Sequence, residues 1–296
     1  MKICIIFNPA ARGEKANRFR EHLATLSTEC ALKPTYAAGA GRALAAEAVR
    51  EGFEMVVAAG GDGTVNEVLN GIGDAPDGYG RTCFAVLPLG TINVFAKELG
   101  MPTNFAAAWK VLKKGQETLI DLPEAEFAAA GKTERRCFAQ MAGAGVDSRA
   151  IELVNWEQKK KIGPLAYVVA GCKAMVETKP QIIATSGQES IAGELVLVGN
   201  GRFYGGRYRF FPTADLRDGL LEVSVFPRAD WGSLVRCGWG LLTDRLYSAG
   251  GVKHFQTPSL RLESAVPVAF HVEGENAGTL PVRFSMHRQK LRVITP

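Results

Sequence analysis

The chain has 296 residues, 47% hydrophobic and 22% charged, with a formal net charge of +5. That length holds two ordinary domains or one large one, and the composition fills a core, which excludes a disordered chain. The small, dispersed positive excess suits phosphates, nucleotides or acidic head groups, and excludes a nucleic-acid binder, which would carry a dense basic stripe with interleaved aromatics.

Ile3 to Phe7 reads as a short buried strand closed by Asn8-Pro9, and Ala16 to Leu26 has helical spacing. Glu54 to Ala59 is a second buried strand, ending in Gly60-Gly61-Asp62-Gly63, and Thr64 to Ile72 continues as a helix. Cys83 to Leu87 is a third strand, stopped by Pro88. A helix over Ile92 to Leu99 follows, with Gly100 as its C-cap and Pro102 beyond. Strands alternating with helices imply a parallel sheet with helices on its faces.

After Gly115 the runs become short and alternating: Arg136 to Met141, Glu194 to Val198, Leu220 to Phe226, Leu260 to Glu263 and Val268 to Val272. This pattern predicts a mostly antiparallel β domain. Two helical inserts interrupt it, one over Arg149 to Glu177 with a break at Gly163-Pro164, the other over Trp231 to Leu246. Trp231 and Trp239 read as core within the second insert. The expected domains are 1–120 and 121–296, with the last segment returning to the first domain.

Six cysteines without a Cys-x-x-Cys pair read as reduced thiols, and four scattered histidines do not suggest zinc. The N-terminus lacks the long apolar core of a signal peptide, and no uncharged apolar run reaches about 18 residues. The expectation is a cytoplasmic protein that meets the inner face of a membrane from the water side.

The strongest chemical signal is Gly60-Gly61-Asp62-Gly63-Thr64-Val65-Asn66-Glu67, which follows a strand and opens a helix. Glycines let the backbone approach a phosphate, and free N–H groups at a helix start bind anions. A carboxylate at Asp62 could hold Mg²⁺ or orient a hydroxyl. A plain strand-to-helix turn would need neither this Asp nor the Asn-Glu pair one turn on. The segment is neither Gly-x-x-x-x-Gly-Lys-Ser/Thr nor Gly-x-Gly-x-x-Gly. The turns at Asn8-Pro9-Ala10-Ala11-Arg12-Gly13 and Leu87-Pro88-Leu89-Gly90-Thr91-Ile92-Asn93 end two other strands of the same sheet. Ligands of open parallel sheets bind at the carboxyl ends of the strands, so the three turns can converge on one nucleotide.

Together these segments resemble the diacylglycerol kinase catalytic family, which includes sphingosine kinases and bacterial soluble lipid kinases. The resemblance rests on Asn8-Pro9 with Gly13, on Gly60 through Glu67, and on Pro88-Leu89-Gly90-Thr91 with Asn93. It continues through Gly143-Ala144-Gly145-Val146-Asp147, Tyr204-Gly205-Gly206, Pro212 with Asp218-Gly219, and Gly274-Glu275. It implies an α/β nucleotide-binding domain related to NAD kinase and phosphofructokinase, followed by a β-sandwich, with the active site in the cleft between them. It further implies that Asn8, Thr35, Thr91 and the run Gly61, Asp62, Gly63, Thr64, Val65, Asn66 and Glu67 contact ATP. The loop around Asp215, Asp218 and Leu220 would hold a structural Mg²⁺ through the Asp218 carboxylate and backbone carbonyls, and Glu275 would be the general base.

Two positions depart from the family pattern: Val94 stands where Asp is common after Gly-Thr-x-Asn, and Glu273 replaces the Asp of Asp-Gly-Glu. Asp218-Gly219 equally suits a hairpin turn, and Lys159-Lys160-Lys161 beside Trp156 suits either a solvated helix end or docking on anionic lipid. Continuing the strand past Val272 would put Glu273 and Glu275 on one face, where mutual repulsion would raise one proton affinity. Glu275 is the expected base, Glu273 the tuning carboxylate, and Asp62 the remaining candidate.

The expected function is an ATP- and Mg²⁺-dependent lipid kinase acting on a membrane lipid such as diacylglycerol, with transient membrane contact and no nucleic-acid partner. A homodimer is compatible with the sequence. The rivals are an NAD kinase-like small-molecule kinase and a non-catalytic nucleotide or lipid sensor.

Overall fold

The computed structural model describes residues 1–9, 11, 14–154, 165–206, 208–242 and 251–296. Arg12, Gly13, Trp156, Lys159–Lys161 and the Gly163-Pro164 break lie outside the described residues.

The N-terminal α/β part is built on one sheet, in the order β2 (Ala31–Pro34), β1 (Ile3–Phe7), β3 (Met55–Gly60), β4 (Cys83–Pro88), β20 (Leu291–Thr295) and β5 (Gln116–Ile120). The first four strands and β20 run parallel, and β5 is antiparallel to β20. The C-terminal strand therefore threads back between β4 and β5. β1, β3 and β4 are buried along their whole length, as expected of strands covered by helices on both faces. Of the covering helices, α1 (Glu14–Glu21) and α2 (Leu23–Glu29) replace the single helix expected over 16–26. The chain breaks at His22, whose ring nitrogen bonds the Arg18 carbonyl at 2.7 Å.

Next come α3 (Ala40–Arg50), α4 (Asp62–Gly73), α5 (Gly78–Arg81), α6 (Val94–Glu98) and α7 (Phe105–Lys114). The sequence pattern did not reveal α3, because it buries alanines and glycine rather than a stripe of large side chains. It is alanine-rich and so loses little side-chain entropy. α7 also went unread; Asn104 caps its start through Ala107 N–H, and Lys113 and Lys114 sit at its end.

The C-terminal part packs two antiparallel sheets face to face. One has the order β10 (Glu189–Gly193), β9 (Ile182–Ser186), β16 (Ser259–Glu263), β19 (Val282–Met286), β6 (Pro123–Ala129) and β7 (Lys132–Cys137). The other runs β15 (Lys253–Thr257), β14 (Leu221–Phe226), β11 (Leu195–Gly199), β8 (Met141–Gly145), β17 (Ala269–Val272) and β18 (Glu275–Thr279). A small ribbon pairs β12 (Phe203–Tyr204) with β13 (Tyr208–Arg209). Phe127, Phe284, Val196 and Phe270 belong to the core between the two sheets. The run 136–141 is not one strand: β7 ends at Cys137 and β8 starts at Met141, because the chain crosses from one sheet to the other there.

Beyond the strands lie α8 (Val146–Leu153) and two further helices, Leu165–Val176 and Trp231–Leu242. Trp231 and Trp239 are not core. They are 49% and 69% exposed, with Val235 between them at 70%. Their spacing of four puts all three on one helix face, while Cys237 on another face packs with Phe210, Phe211 and Phe226. No described helix is long and apolar enough to cross a membrane.

The two parts are joined by buried polar contacts. Glu98, its side chain 3% exposed, accepts from Arg202 Nε at 2.7 Å and from Gln140 Nε2 at 3.1 Å. The Arg202 side chain is 37% exposed, so the buried end of the contact is the Glu98 carboxylate, which loses a charged donor if Arg202 is removed, at a cost of about 1.5–3 kcal/mol. Asn70 of α4 bonds both the N–H and the carbonyl of Cys137.

Candidate active site

In the order β2-β1-β3-β4 the chain moves outward from β1 in both directions, so the crevice for a ligand opens at the carboxyl ends of β1 and β3. Asn8, Thr35, Gly61–Thr64 and Thr91 each come after one of the four parallel strands, so the sheet brings all of them to this edge. The turns are tied together. Thr35 N–H donates to Phe7 O at 2.8 Å, and Leu89 and Gly90 N–H donate to Gly60 O at 3.0 and 3.2 Å. Gly90 is required by proximity: a Cβ there would stand 2.5 Å from Gly61 Cα. Asn93, at φ 53°, closes the turn by accepting from Gly90 N–H at 2.9 Å and donating to Gly90 O at 2.6 Å. A cavity of about 230 Å³ lies beside this edge, lined by Lys15, Arg18, Leu87, Pro88 and Asn104 among others.

The first intrahelical bond of α4 runs from Val65 N–H to Gly61 O, which leaves the N–H groups of Asp62, Gly63 and Thr64 at the helix start. The later residues of the expected nucleotide run serve other purposes. Val65 and Asn66 are buried in the helix–sheet packing, and Asn66 Oδ1 accepts from Asn70 at 2.8 Å. The Glu67 carboxylate accepts from Gly39 and Gly41 N–H, both at 2.8 Å, and so caps α3. Asp62 Oδ1 accepts from Val94 N–H at 2.7 Å. Val94 thus meets Asp62 through its backbone, whatever its side chain. Burial pushes the Asp62 carboxyl above the usual aspartate range.

Glu273 and Glu275 do not share a face. The strand stops at Val272, which pairs with Glu275, and the two residues between them have φ of 53° and 75°. That is a two-residue hairpin turn of the kind for which Asn-Gly and Asp-Gly are preferred, so Glu273 holds a costly left-handed conformation. Two bonds compensate: Glu273 Oε1 accepts from Ala139 and Gln140 N–H, both at 2.7 Å. Burial first, and the Asp62 charge as well, push the Glu273 carboxyl up to about 7; Glu275 is not among the causes. Glu275 itself is half-exposed, ion-paired with Arg136 at 2.7 Å, and lies over the glycine turn, where a Cβ on Gly63 would stand 3.2 Å from its Oε1.

The carboxylates of the loop expected to hold a structural Mg²⁺ already have partners within the chain. Asp218 Oδ1 accepts from Leu220 N–H at 2.9 Å, and Asp215 pairs with Arg217 at 3.3 Å. The nearby buried carboxylate, Asp121, accepts from Gly219 N–H at 2.7 Å and holds the Lys290 ammonium at 2.8 Å. Lys290 Nζ also reaches the Arg217 carbonyl at 3.5 Å. The loop is already joined to a cation supplied by the chain. No group of three His, Cys, Asp or Glu placed to hold a metal occurs among the described residues.

Lys290, Arg136, Glu98 and Asn70 went unread in the sequence. Each is a common residue type whose partner lies far along the chain, and no local pattern marks it.

A profile described as the diacylglycerol kinase catalytic domain matches residues 2–125, and one described as the YegS C-terminal NAD kinase beta sandwich-like domain matches residues 140–295. A diacylglycerol kinase of Staphylococcus saprophyticus subsp. saprophyticus is 27% identical over 99% of this chain and 94% of its own. A protein of Pseudomonas aeruginosa named "Probable lipid kinase YegS-like" is 32% identical over 90% of this chain and 85% of its own. The crystal structure of a diacylglycerol kinase from Bacillus anthracis str. Sterne shares the fold, with a TM-score of 0.71 and 20% identity, covering 100% of this chain and 97% of that one.

Proposed function

The chain belongs to the diacylglycerol kinase and YegS-like lipid kinase family, and on that premise we propose that it transfers the γ-phosphate of ATP to a membrane-lipid hydroxyl, diacylglycerol giving phosphatidic acid. The observation that carries this reading is the placement of Glu275 over the glycine turn, where a Cβ on Gly63 would stand 3.2 Å from its Oε1.

In this reading the nucleotide phosphates approach the N–H groups of Asp62, Gly63 and Thr64, where the helix dipole favours negative charge. Asn8, Thr35 and Thr91 border the same edge. Asp62 and Glu273 are two carboxylates brought together at low exposure, an arrangement that suits the divalent cation accompanying ATP. Mg²⁺ when bound supplies charge neutralisation on the transferred phosphoryl group. Glu275 accepts the proton of the lipid hydroxyl. Its Arg136 partner holds the carboxylate in place, whereas Glu273 Oε1 is held by two backbone N–H groups. Most of the rate arises from positioning and charge stabilisation.

The acceptor requires access to a bilayer. Trp231, Val235 and Trp239 form an exposed apolar face flanked by exposed Arg228 and Arg236, a composition that enters the interface of an anionic membrane. The decisive experiment incubates labelled ATP and Mg²⁺ with lipids in mixed micelles, with NAD in a parallel arm, and separates the products by mass. Label in phosphatidic acid is the expected result. Label in NAD alone, or in no product from folded ATP-binding protein, overturns the reading.

A further inference from the structure

We propose that Tyr204, Asp147 and His271 form a buried relay that positions the Glu273-Gly274-Glu275 turn for phosphoryl transfer; the inference rests on the phosphotransfer reading above. One oxygen of Asp147, Oδ2, accepts from the Tyr204 hydroxyl at 2.6 Å and bonds His271 Nε2 at 2.5 Å. The other ring nitrogen, His271 Nδ1, faces Gly274 N–H at 3.3 Å. A backbone amide can only donate, so Nδ1 is the acceptor and the proton sits on Nε2, pointing at Asp147. Donation therefore runs one way, from the amide between the two glutamates to the imidazole and from the imidazole to the carboxylate.

Three separate segments converge to make it. Gly143 leaves room for the ring, since a Cβ there would stand 2.8 Å from His271 Nε2. The chain then turns into α8, which carries Asp147. Tyr204 arrives from β12 in the Tyr-Gly-Gly segment. His271 comes from β17, just past a register shift in the β17–β18 pairing. The His271 side chain is 1% exposed and that of Asp147 22%.

Burying this much polarity for packing alone is unfavourable, because apolar side chains of similar volume fill such a site at lower cost. What polar groups add is direction. The turn needs it: Glu273 and Gly274 both hold positive φ, and Glu275 begins the return strand. Asp147 Oδ2 accepts from both the Tyr204 hydroxyl and His271 Nε2, so its carboxylate is held by two side-chain donors from separate strands. Burial and the Asp147 charge push the Tyr204 hydroxyl far up, so it remains a donor. The three residues touch no reacting atom in this arrangement; they act through Gly274 and are positioning residues.

The test compares wild type with His271→Phe, which keeps the ring volume and removes both nitrogens, and with Tyr204→Phe, which removes one hydroxyl. Side-chain ¹⁵N spectra report the imidazole, and the chain has only four histidines to assign. Wild type is expected to carry its His271 proton on Nε2. His271→Phe is expected to lower kcat by about 10–100-fold, the scale of a misplaced catalytic group, with KM for ATP within about twofold. Amide exchange across 273–275 should quicken in the same variant. Tyr204→Phe should shift the His271 ¹⁵N resonances and lower kcat less, and it carries the test if His271→Phe does not fold. A proton on Nδ1 in wild type, or unchanged kcat in the folded variants, overturns the relay. If wild type phosphorylates no lipid, the functional reading fails on its own, and the tautomer and the exchange at 273–275 still decide whether the relay holds the turn.

Discussion

Replacing Glu273 with Gln separates the cost of its charge from the use of its shape. The carboxyl sits at about 7 in the folded chain against an ordinary 4.5, chiefly because it is buried. Below pH 4.5 both folded and unfolded chains hold the proton, and the charge costs nothing. As pH rises from 4.5 to 7 the unfolded chain ionises while the folded chain keeps its proton, so stability is lost progressively. Above 7 the full difference applies: the gap between 4.5 and about 7, at about 1.4 kcal/mol per pH unit, is about 3 kcal/mol. Glutamine is neutral throughout and can still offer an oxygen to Ala139 and Gln140 N–H, so Glu273→Gln should be more stable than wild type at pH 8 by about 3 kcal/mol. At roughly 2–4 °C per kcal/mol this is about 6–12 °C in Tm. At pH 4 the two proteins should melt together. The assay is thermal melting across pH 4 to 8, with chelator and without nucleotide. Equal melting at pH 8 would refute the reasoning, for it would mean the charge is already satisfied by its two N–H donors.

In turnover the order should reverse. Glu275→Gln is expected to lose at least about two orders of magnitude in kcat at saturating ATP and lipid, the usual range for a general base, and Glu273→Gln less; the opposite ranking moves the base to Glu273. Asp62→Asn should abolish turnover with Tm close to wild type, because the amide can still accept from Val94 N–H through its oxygen; near wild-type activity would reduce Asp62 to a turn residue. Chelator should leave the wild-type Tm unchanged, whereas Lys290→Met should lower stability by about 1.5–3 kcal/mol, the scale of a hydrogen bond to a charged group, because Asp121 loses its cation. A chelator-sensitive Tm would restore a metal to the Asp215–Leu220 loop. Replacing Trp231 and Trp239 together with Ala should weaken sedimentation with anionic phosphatidylglycerol vesicles by about tenfold or more, given the apolar area lost; unchanged binding would put the docking face elsewhere.

Much of the architecture was legible because its signals are local. Continuous apolar runs such as Met55–Ala59 announce strands buried on both faces, and alternation such as Leu260–Glu263 announces a half-buried sheet. The glycine turn after β3 was legible for the same reason, since close approach and a free helix start are properties of the backbone over a few residues. The spacing of Trp231, Val235 and Trp239 was equally visible, but not whether anything covered that face. Exposure depends on what packs across from it, and composition alone favoured burial.

The site's division of labour came only from the tertiary structure. Glu67 and Glu275 look alike in sequence, each an acid near a glycine; one caps α3 through Gly39 and Gly41, and the other lies over Gly63 beside Arg136. The hairpin at Glu273-Gly274 separates two glutamates that strand periodicity would have put side by side. Lys290 reaches Asp121 because β20 returns to the first sheet, 169 positions further along the chain than the residue it pairs with. A carboxylate's role is fixed by its donors and its solvent, and both are set by strands that meet across the whole length of the chain.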